Sequence, residues 1–324
     1  MLLLGTQHSA LRTFMIVELH AKTDVGRVRS GNEDNFLVLD LSQSQGWTGS
    51  DGAQMPEAMS RIEIRSNGVV LVVSDGMGGA LAGDVASRMA VETVRDTLLG
   101  SEKAETCSSS PDTELIECLC SATETANQLI HSRSQQDARY SGMGTTLTGA
   151  AITPEGIDFV QVGDSRGYVI RGHEIKLATK DQSLVQQLVD VGQINEQEAE
   201  THMFRNVILQ ALGAQAELSP VTGRVRVQNG DILLLCSDGL SGKLRAEDMR
   251  QIVTSAEGDL TRACEMLVGE ANERGGEDNI TVVLAKITGT DLPIPDSEKI
   301  TVELLELSNA GMLDDEDEDE TKIP

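Results

Sequence analysis

The sequence predicts an α+β fold in which runs of strands are separated by pairs of helices. Nine segments are rich in β-branched residues or alternate in polarity, which is typical of strands. Three longer segments repeat apolar residues with a 3.6-residue period, which is typical of amphipathic helices. Because the strands follow one another in runs, their order favours α+β layers over a strict βαβ alternation.

The predicted elements follow in chain order. The strands are residues 16–21, 35–40, 69–74, 146–152, 157–162, 168–171, 224–227, 231–237 and 280–287. The helix candidates carry their apolar residues at Val85, Met89, Val94 and Leu98, then at Leu115, Leu119, Ala122, Ala126 and Leu129, and finally at Leu260, Ala263, Cys264, Leu267 and Ala271. The strands 69–74 and 231–237 contain continuous apolar runs, which indicates burial on both faces.

Four segments are expected to lie outside these layers. Residues 1–14 are interpreted as a disordered leader, residues 41–66 as a loop insertion, and residues 100–112 as a polar connection between helices. Residues 289–324 are interpreted as an acidic, disordered tail, because residues 314–320 are seven consecutive carboxylates that repel one another.

The charge balance excludes nucleic acid as a ligand class. The 324 residues include 26 Lys and Arg against 52 Asp and Glu, a formal net charge of −26, so the chain lacks a basic face for phosphates. Aromatic residues make up only 2% of the chain, which leaves almost no material for base-stacking platforms. We therefore expect an aliphatic core and no nucleic-acid partner.

Several features predict a cytoplasmic protein with no membrane partner. No stretch approaches the ~18 uninterrupted apolar residues of a membrane-spanning helix. The apolar start at residues 1–4 lacks the basic region and the long apolar region of a signal peptide. The five cysteines are an odd set without a CxxC pair, as expected in a reducing compartment.

Acidic residues recur where predicted strands begin or end. Four of them adjoin strands and lie in glycine-containing segments: Asp75, Asp164, Asp238 and Asp278. The glycines permit tight turns and close backbone approach, so these side chains could converge on one point. Glu33 and Asp34 add two carboxylates just before the strand 35–40. One Asp-Gly pair after a strand is usually a turn, whereas four such positions together favour a shared site.

A shared site of this kind requires a cation. Neighbouring carboxylates in a partly buried site would repel one another or bind protons unless a positive charge compensates them. The motifs contain oxygen donors without His or Cys, which favours Mg²⁺ or Mn²⁺ over Zn²⁺. The carboxylate spacing does not match a calcium-binding EF-hand loop. Arg29 lies nearby in sequence, where it could bind an anion or form a salt bridge to Glu33 or Asp34.

Six motifs, in this order, resemble those of the metal-dependent protein phosphatases of type 2C in their bacterial form. They are TDVGRVRSGNEDN at 23–35, SDGMGG at 74–79, GMGTT at 142–146, VGDSR at 162–166, CSDGL at 236–240 and EDNIT at 277–281. The resemblance covers residues 15–288. It implies a four-layer α-β-β-α sandwich, with two antiparallel sheets flanked by helix pairs and a metal cluster at one edge.

The resemblance also implies an activity, the hydrolysis of phosphoserine and phosphothreonine in proteins, with two Mn²⁺ or Mg²⁺ ions and a possible third. It assigns roles to eight residues of this chain. Asp75 would bridge two metals, the Gly76 carbonyl would bind the first, Asp238 and Asp278 the second, and Glu33 would act on the first through water. Asp34 would hold metal-bound water, Arg29 would bind the substrate phosphate, and Asp164 would join Asp238 at a third metal.

Position 77 departs from the animal members of that family, which carry a His proposed as a general acid. Met77 cannot donate a proton, so the leaving alkoxide must be protonated in another way, and metal-bound water is our hypothesis. Residues 176–219 correspond to the family's mobile flap beside the active site. Asn195 to Glu198 resembles a capping box, and His202 and Arg205 would either face a phosphopeptide or lie on a solvated surface.

Three functions of different classes are compatible with these residues. The first is an active phosphatase whose partners are phosphoproteins and the serine/threonine kinases that act on them. The second is a catalytically silent module that binds phosphoproteins, a role that loss of metal carboxylates would indicate. The third is a metallohydrolase of small phosphate esters. Because all the expected carboxylates are present, the first function is favoured.

Overall fold

The computed structural model describes residues 15–51, 55–64, 67–78, 82–100, 114–290, 292–294 and 299–305. The predicted leader 1–14, most of the helix connection 100–112 and the acidic run 314–320 lie outside the described residues. The described part consists of two antiparallel sheets with helices on both outer faces. The predicted four-layer sandwich is therefore confirmed.

The elements have the following bounds. The strands are β1 Met15–Asp24, β2 Asp34–Asp40, β3 Gln45–Thr48, β4 Arg61–Ile64, β5 Val69–Met77, β6 Gly144–Thr145, β7 Leu147–Thr153, β8 Gly156–Val162, β9 Arg166–Arg171, β10 Glu174–Leu177, β11 Val221–Val225, β12 Ile232–Cys236, β13 Ile280–Gly289 and β14 Val302–Leu304. The helices are α1 Ala82–Leu99, α2 Leu115–Gln136, α3 Leu184–Asp190, α4 Glu196–Glu200, α5 Asp238–Ser241, α6 Ala246–Ser255 and α7 Leu260–Glu273.

Each sheet has its own strand order. The first sheet runs β10-β9-β12-β13-β1-β4, and the second runs β14-β11-β8-β7-β5-β2-β3, with the short β6 paired to β5. Residues between the sheets form the central core, α1 and α2 cover the second sheet, and α5 to α7 cover the first. This layering explains why the central strands are apolar on both faces.

Strand β5 shows how the sequence pattern produces the layers. Val69, Leu71 and Val73 point into the core between the sheets, whereas Val70 and Val72 pack against the α1 and α2 layer. All five side chains are fully buried. Because successive side chains of a strand point to opposite faces, an uninterrupted apolar run is what a strand between two apolar layers requires.

The interpretation of residues 41–66 as a loop insertion is wrong for much of that segment. It contributes β3 at one edge of the second sheet and β4 at one edge of the first. Trp47 packs against Phe36 with ring centroids 4.7 Å apart, and Ile62 and Ile64 are buried. Arg-Ile-Glu-Ile in β4 is a short alternating strand that the surrounding polar residues concealed.

The acidic tail begins later than the sequence predicts. Leu292 and Ile300 join the core between the sheets, and β14 pairs with β11. The prediction of disorder from residue 289 onward is therefore wrong for residues 299–305, because two apolar side chains anchor this segment. The predicted strand 224–227 also lies a few residues earlier, as β11.

Cysteine usage differs from the sequence-based expectation in one respect. Cys120, Cys236 and Cys264 are free and buried, whereas Cys118 is disulfide-bonded. The cysteines therefore do not by themselves indicate a reducing compartment. Within the described ranges, none of the helices combines the length and apolar composition that crossing a bilayer requires.

Candidate metal centre

Strand pairing brings the predicted carboxylates to one edge of the sandwich. Asp34 and Asp75 lie opposite each other on β2 and β5, in register. In the other sheet β12 pairs with β13, so Asp238 at the end of β12 lies near Asp278 before β13. Each sheet thus contributes two carboxylates, which meet between the sheets.

Asp34 connects the two sheets. Its Oδ2 accepts a 2.7 Å hydrogen bond from the Ser237 hydroxyl, whose oxygen in turn accepts a 2.9 Å bond from the Thr281 amide. Its Oδ1 is buried and has no hydrogen-bond partner among the described residues. Burial raises the pKa of Asp34 to about 7. The hydrogen bond from Ser237 lowers this pKa, and the charges of Asp238 and Asp278 raise it further.

Asp75 and Asp238 share the centre of the cluster. Their carboxyl groups lie within hydrogen-bonding reach of each other. Burial raises the pKa of Asp75 well above its ordinary value, and the charge of Asp34 adds to the effect. Burial also raises the pKa of Asp238, with a further contribution from Asp278. Two carboxyl groups can lie this close only when a proton or a cation lies between them.

Asp164 lies at the side of the same cluster, after strand β8. It is 8% exposed, and burial raises its pKa to about 8. The charges of Asp238 and Asp181 raise this pKa further, whereas Arg166 lowers it. Asp164 and Asp238 are therefore electrostatic neighbours, as the predicted third site requires.

Glu33 and Gly76 are packed together at the start of helix α1. The Gly76 amide donates to the Glu33 carbonyl oxygen over 3.1 Å. A Cβ at Gly76 would lie 2.2 Å from the Gly83 carbonyl oxygen, and one at Gly83 would lie 2.0 Å from Glu33 Oε2. Neither glycine can therefore carry a side chain without moving the backbone or the carboxylate. Burial raises the pKa of Glu33, and Arg29 opposes the shift.

Arg29 pairs with a different carboxylate from those suggested by its sequence position. Its Nη2 donates to Asp278 Oδ2 over 2.8 Å, rather than to Glu33 or Asp34. The Arg29 side chain is 48% exposed and that of Asp278 39%. The guanidinium therefore lies at the solvent-facing rim of the cluster, where a soluble anion can reach it.

Sequence reasoning missed Asn279, which organises the loop that carries Arg29. Its Oδ1 accepts from the Glu33 amide over 2.8 Å, and its Nδ2 donates to the carbonyl oxygens of Val25 and Gly31, each over 2.9 Å. The sequence offered a signal for Asn279, because this residue directly follows Asp278, a predicted metal ligand. A buried amide that satisfies three backbone groups holds loop 25–33 over the cluster.

The flap, residues 176–219, is fastened next to Asp164. Asp181 Oδ2 accepts from Nε and Nη2 of Arg166 over 2.9 and 2.7 Å. Gln182 accepts from the Gly163 amide over 2.7 Å and donates its own amide to the Gly163 carbonyl over 3.0 Å. The sequence did not predict these contacts, because they join segments that are far apart in the chain until the flap folds back.

Within the flap, the predicted capping box is confirmed. The Asn195 side chain accepts from the Glu198 amide, and the Glu198 side chain accepts from the Asn195 amide. His202 lies beside Phe204, with ring centroids 5.6 Å apart. The hydrogen bond from Lys243 lowers the pKa of Glu277, and the charge of Arg205 contributes more weakly.

The cluster fits a hard divalent cation. All its side-chain donors are oxygen atoms, and the buried Asp34 Oδ1 lacks a partner among the described residues. Burial, and then mutual repulsion, raises the pKa values of Asp75 and Asp238. Within the described part of the chain, no three acidic, His or Cys side chains already form a closed ligand group. Ion binding would therefore require the carboxylate side chains to move closer together.

A family model described as Protein phosphatase 2C matches residues 57–272. The chain belongs to the protein phosphatase 2C family. It is 37% identical over 277 residues to Protein phosphatase PhpP of Streptococcus pneumoniae, a match that covers 85% of this chain and 99% of the relative. Family membership agrees with the motif series and with the sandwich.

Solved structures of this family have the same fold. The serine/threonine phosphatase PstP/Ppp of Mycobacterium tuberculosis aligns with a TM-score of 0.66 at 32% identity, covering 84% of this chain and 98% of the other. The catalytic domain of the serine threonine protein phosphatase PstP, solved in complex with 2 manganese ions, aligns with a TM-score of 0.65 at 30% identity. That match covers 85% of this chain and 99% of the other.

Proposed function

We propose that this protein is a metal-dependent serine/threonine phosphatase that removes phosphate from phosphoserine and phosphothreonine in proteins. The observation that carries the proposal is the cluster of buried carboxylates, among which no basic side chain lies at the centre in the described part of the chain. Family membership supports the reaction class, and the relatives named as serine/threonine phosphatases support the substrate class.

We propose two cation positions and a possible third. Asp75, the Gly76 carbonyl oxygen, Asp238 and Asp278 would hold two ions of Mn²⁺ or Mg²⁺, and Glu33 would act on one of them through water. Asp164 and Asp238 would hold a third ion. When bound, such ions activate water at neutral pH and stabilise the charge of the phosphoryl group. The manganese-bound relative supports this assignment.

Asp34 is proposed to orient the attacking water and accept its proton. Its Oδ2 is held by Ser237, and its buried Oδ1 has no hydrogen-bond partner among the described residues. A carboxylate whose one oxygen is fixed by a hydroxyl presents the other in a defined direction.

Arg29 is proposed to bind the phosphate of the substrate. Its guanidinium is held beside the cluster by a single bond to Asp278 and is nearly half exposed. A guanidinium presents two parallel N–H groups to a phosphate, which orients the phosphorus and offsets charge in the transition state. Met77, 38% exposed beyond Gly76, has no proton to donate, so the leaving oxygen takes its proton from water.

The substrates are proposed to be proteins phosphorylated by serine/threonine kinases. An enzyme that removes phosphate from such side chains requires a kinase that adds it in the same compartment. We propose the cytoplasm as that compartment, since ATP, the phosphate donor of kinases, is found there.

The test measures hydrolysis of a phosphothreonine peptide and of p-nitrophenyl phosphate by the purified full chain. We expect turnover with Mn²⁺ or Mg²⁺, none with a chelator, and loss of turnover in Asp238→Asn. The matched control is Asp96→Asn, since Asp96 lies on α1 with 68% of its side chain exposed. Bound metal without turnover of either substrate would indicate a silent phosphoprotein-binding module. A higher specificity constant for small esters than for phosphopeptides would indicate a small-molecule metallohydrolase.

A further inference from the structure

The flap ends in a short loop, residues 211–216, that lies between helix α2 and the Asp75 turn. Leu212 in this loop is fully buried. It exchanges two backbone hydrogen bonds with Thr145, one of 3.1 Å from the Thr145 amide and one of 2.9 Å from the Leu212 amide. The 211–216 loop is therefore an extra partner of the short strand β6.

Thr145 and its neighbour Thr146 in turn hold the backbone of Asp75 on both sides. The Asp75 carbonyl oxygen accepts from the Thr145 hydroxyl and from the Thr146 amide, each over 2.8 Å. The Asp75 amide donates to the Thr146 hydroxyl over 3.0 Å. Thr145 also lies opposite Gly76 in the pairing of β5 with β6. The position of the Asp75-Gly76 turn thus depends on Thr145.

Asn127 on α2 fastens the 211–216 loop from the other side. Its Oδ1 accepts from the Gly213 amide over 2.7 Å, and its Nδ2 donates to the carbonyl oxygens of Gln215 and Ala216 over 3.0 and 3.1 Å. The side chain is 1% exposed. One oxygen facing an amide and one nitrogen facing two carbonyls fix the amide orientation. The contact is therefore specific to Asn.

Two further features confine the same loop. His131, one helical turn after Asn127, lies 3.0 Å through Nδ1 from the Gly213 carbonyl oxygen, which can only accept, so Nδ1 carries the proton. Gly213 has a φ of +84°, and a Cβ there would lie 2.4 Å from Ile130 Cγ2. The helix and the loop are thus too close for any other residue at position 213.

We propose that Asn127 is a positioning residue that holds the Asp75-Gly76 turn in place for metal binding, acting through the 211–216 loop and Thr145. The path consists of three consecutive hydrogen-bonded contacts, from Asn127 to Gly213, from Leu212 to Thr145, and from Thr145 to Asp75. It also ties the end of the flap to the metal centre. The inference rests on the proposed function, because it takes Asp75 and Gly76 as metal ligands.

The experiment compares Asn127→Leu with Thr123→Val in the full-length protein. Thr123 lies one turn earlier on α2 and is fully buried, and its hydroxyl donates to the Leu119 carbonyl oxygen within the same helix. We expect Asn127→Leu to weaken Mn²⁺ binding about 10-fold in calorimetry, as removal of outer-sphere support does at metal sites. We also expect faster hydrogen exchange at the Thr145 and Leu212 amides. Thr123→Val should change neither.

A second variant tests the same inference if Asn127→Leu does not fold. His131→Ala removes one contact with Gly213 from a half-buried position, and we expect it to shift Mn²⁺ affinity in the same direction by a smaller factor. Wild-type Mn²⁺ affinity in folded Asn127→Leu, or in His131→Ala where Asn127→Leu does not fold, would overturn the inference. An equal loss in Thr123→Val would also overturn it. Absence of Mn²⁺ binding to the wild-type protein would instead contradict the proposed function.

Discussion

The two ends of strand β12 bury carboxylates in opposite ways. Asp231, just before the strand, is fully buried and receives two 2.8 Å bonds from Arg171 and a third of 2.8 Å from the Gln228 amide. Asp238, just after the strand, lies among other carboxylates, and burial raises its pKa. Only the five residues of β12 and Ser237 separate these environments.

The difference shows how a buried negative charge can be accommodated. At the Asp231 end the chain supplies its own guanidinium, and Arg171 also donates to the carbonyl oxygens of Lys299 and Arg226, which ties the C-terminal segment down. At the Asp238 end the two nearest guanidinium groups are already bound, Arg29 to Asp278 and Arg166 to Asp181. The first arrangement stabilises the fold, whereas the second leaves an excess of negative charge that a bound divalent cation would neutralise.

The largest expected effect is on phosphatase activity and follows a substitution in the carboxylate cluster at the Asp238 end of β12. We expect Asp75→Asn to lower Mn²⁺-dependent phosphatase activity by about three orders of magnitude, because the electrophilic contribution of a bound metal is worth several kcal/mol. The measurement is kcat/KM on a phosphothreonine peptide at saturating Mn²⁺. The control Asp96→Asn should retain full activity. Activity within tenfold of wild type in Asp75→Asn would remove Asp75 from the metal centre.

The next largest effect is on the free energy of unfolding and follows a substitution at the Asp231 end of β12. Asp231→Asn leaves Arg171 buried without its counterion, so we expect the free energy of unfolding to fall by about 3–5 kcal/mol. The kcat/KM of the folded fraction should stay near wild type, because this end takes no part in chemistry. Replacing both partners, Arg171→Met with Asp231→Leu, should recover most of the stability. A double variant no more stable than Asp231→Asn would contradict the ion-pair explanation.

The pH dependence of the free energy of unfolding tests the difference between the two ends of β12. Burial raises the pKa of Asp34 to about 7 and that of Asp164 to about 8, whereas in the unfolded chain both titrate near about 4. The folded metal-free protein thus binds these protons more tightly than the unfolded chain. Its free energy of unfolding should fall by a few kcal/mol between about pH 5 and pH 8.

Denaturant titrations at several pH values, with a chelator and with Mn²⁺, measure this dependence. Bound Mn²⁺ takes the place of the protons, so the decline should largely disappear when it is present. The Asp231→Asn variant should keep the decline, because its substitution lies at the other end of β12. A free energy of unfolding that does not change with pH in the metal-free protein would contradict an excess of negative charge at the Asp238 end.

The smallest effect concerns the exposed ion pair of Arg29 with Asp278. We expect Arg29→Lys to lower kcat/KM about tenfold, because a lysine keeps the charge but cannot bind phosphate through two parallel N–H groups. The free energy of unfolding should change by less than about 1 kcal/mol, as for other exposed pairs. Unchanged kcat/KM would remove Arg29 from phosphate binding.

Much of this arrangement could be predicted from the sequence. The continuous apolar runs predicted β5 and β12. Asp75 and Asp238 follow these runs in the sequence, so their positions at the ends of the two strands could be predicted as well. The partner of Arg29 could not be predicted, because Asp278 is distant in sequence and meets it only after the sheets pack. For the same reason the contacts of Asn127 with the 211–216 loop left no local pattern.

Short edge strands were the other omission. Strand β14 is only three residues long, and the acidic run at 314–320 led to a prediction of disorder for the whole segment. The anchors Leu292 and Ile300 lie in short apolar stretches before that run. Their burial depends on a gap between the two sheets, which no local property of the chain describes.

Thermal unfolding of wild type and Asp75→Asn, each with a chelator and with saturating Mn²⁺, tests the central claim most directly. The claim is that the carboxylates at the ends of β5 and β12, Asp75 and Asp238, repel one another until a divalent cation binds. It predicts that Asp75→Asn unfolds at a higher temperature than wild type in the chelator, and at a lower temperature in Mn²⁺. A variant less stable than wild type by the same amount in both conditions would contradict it.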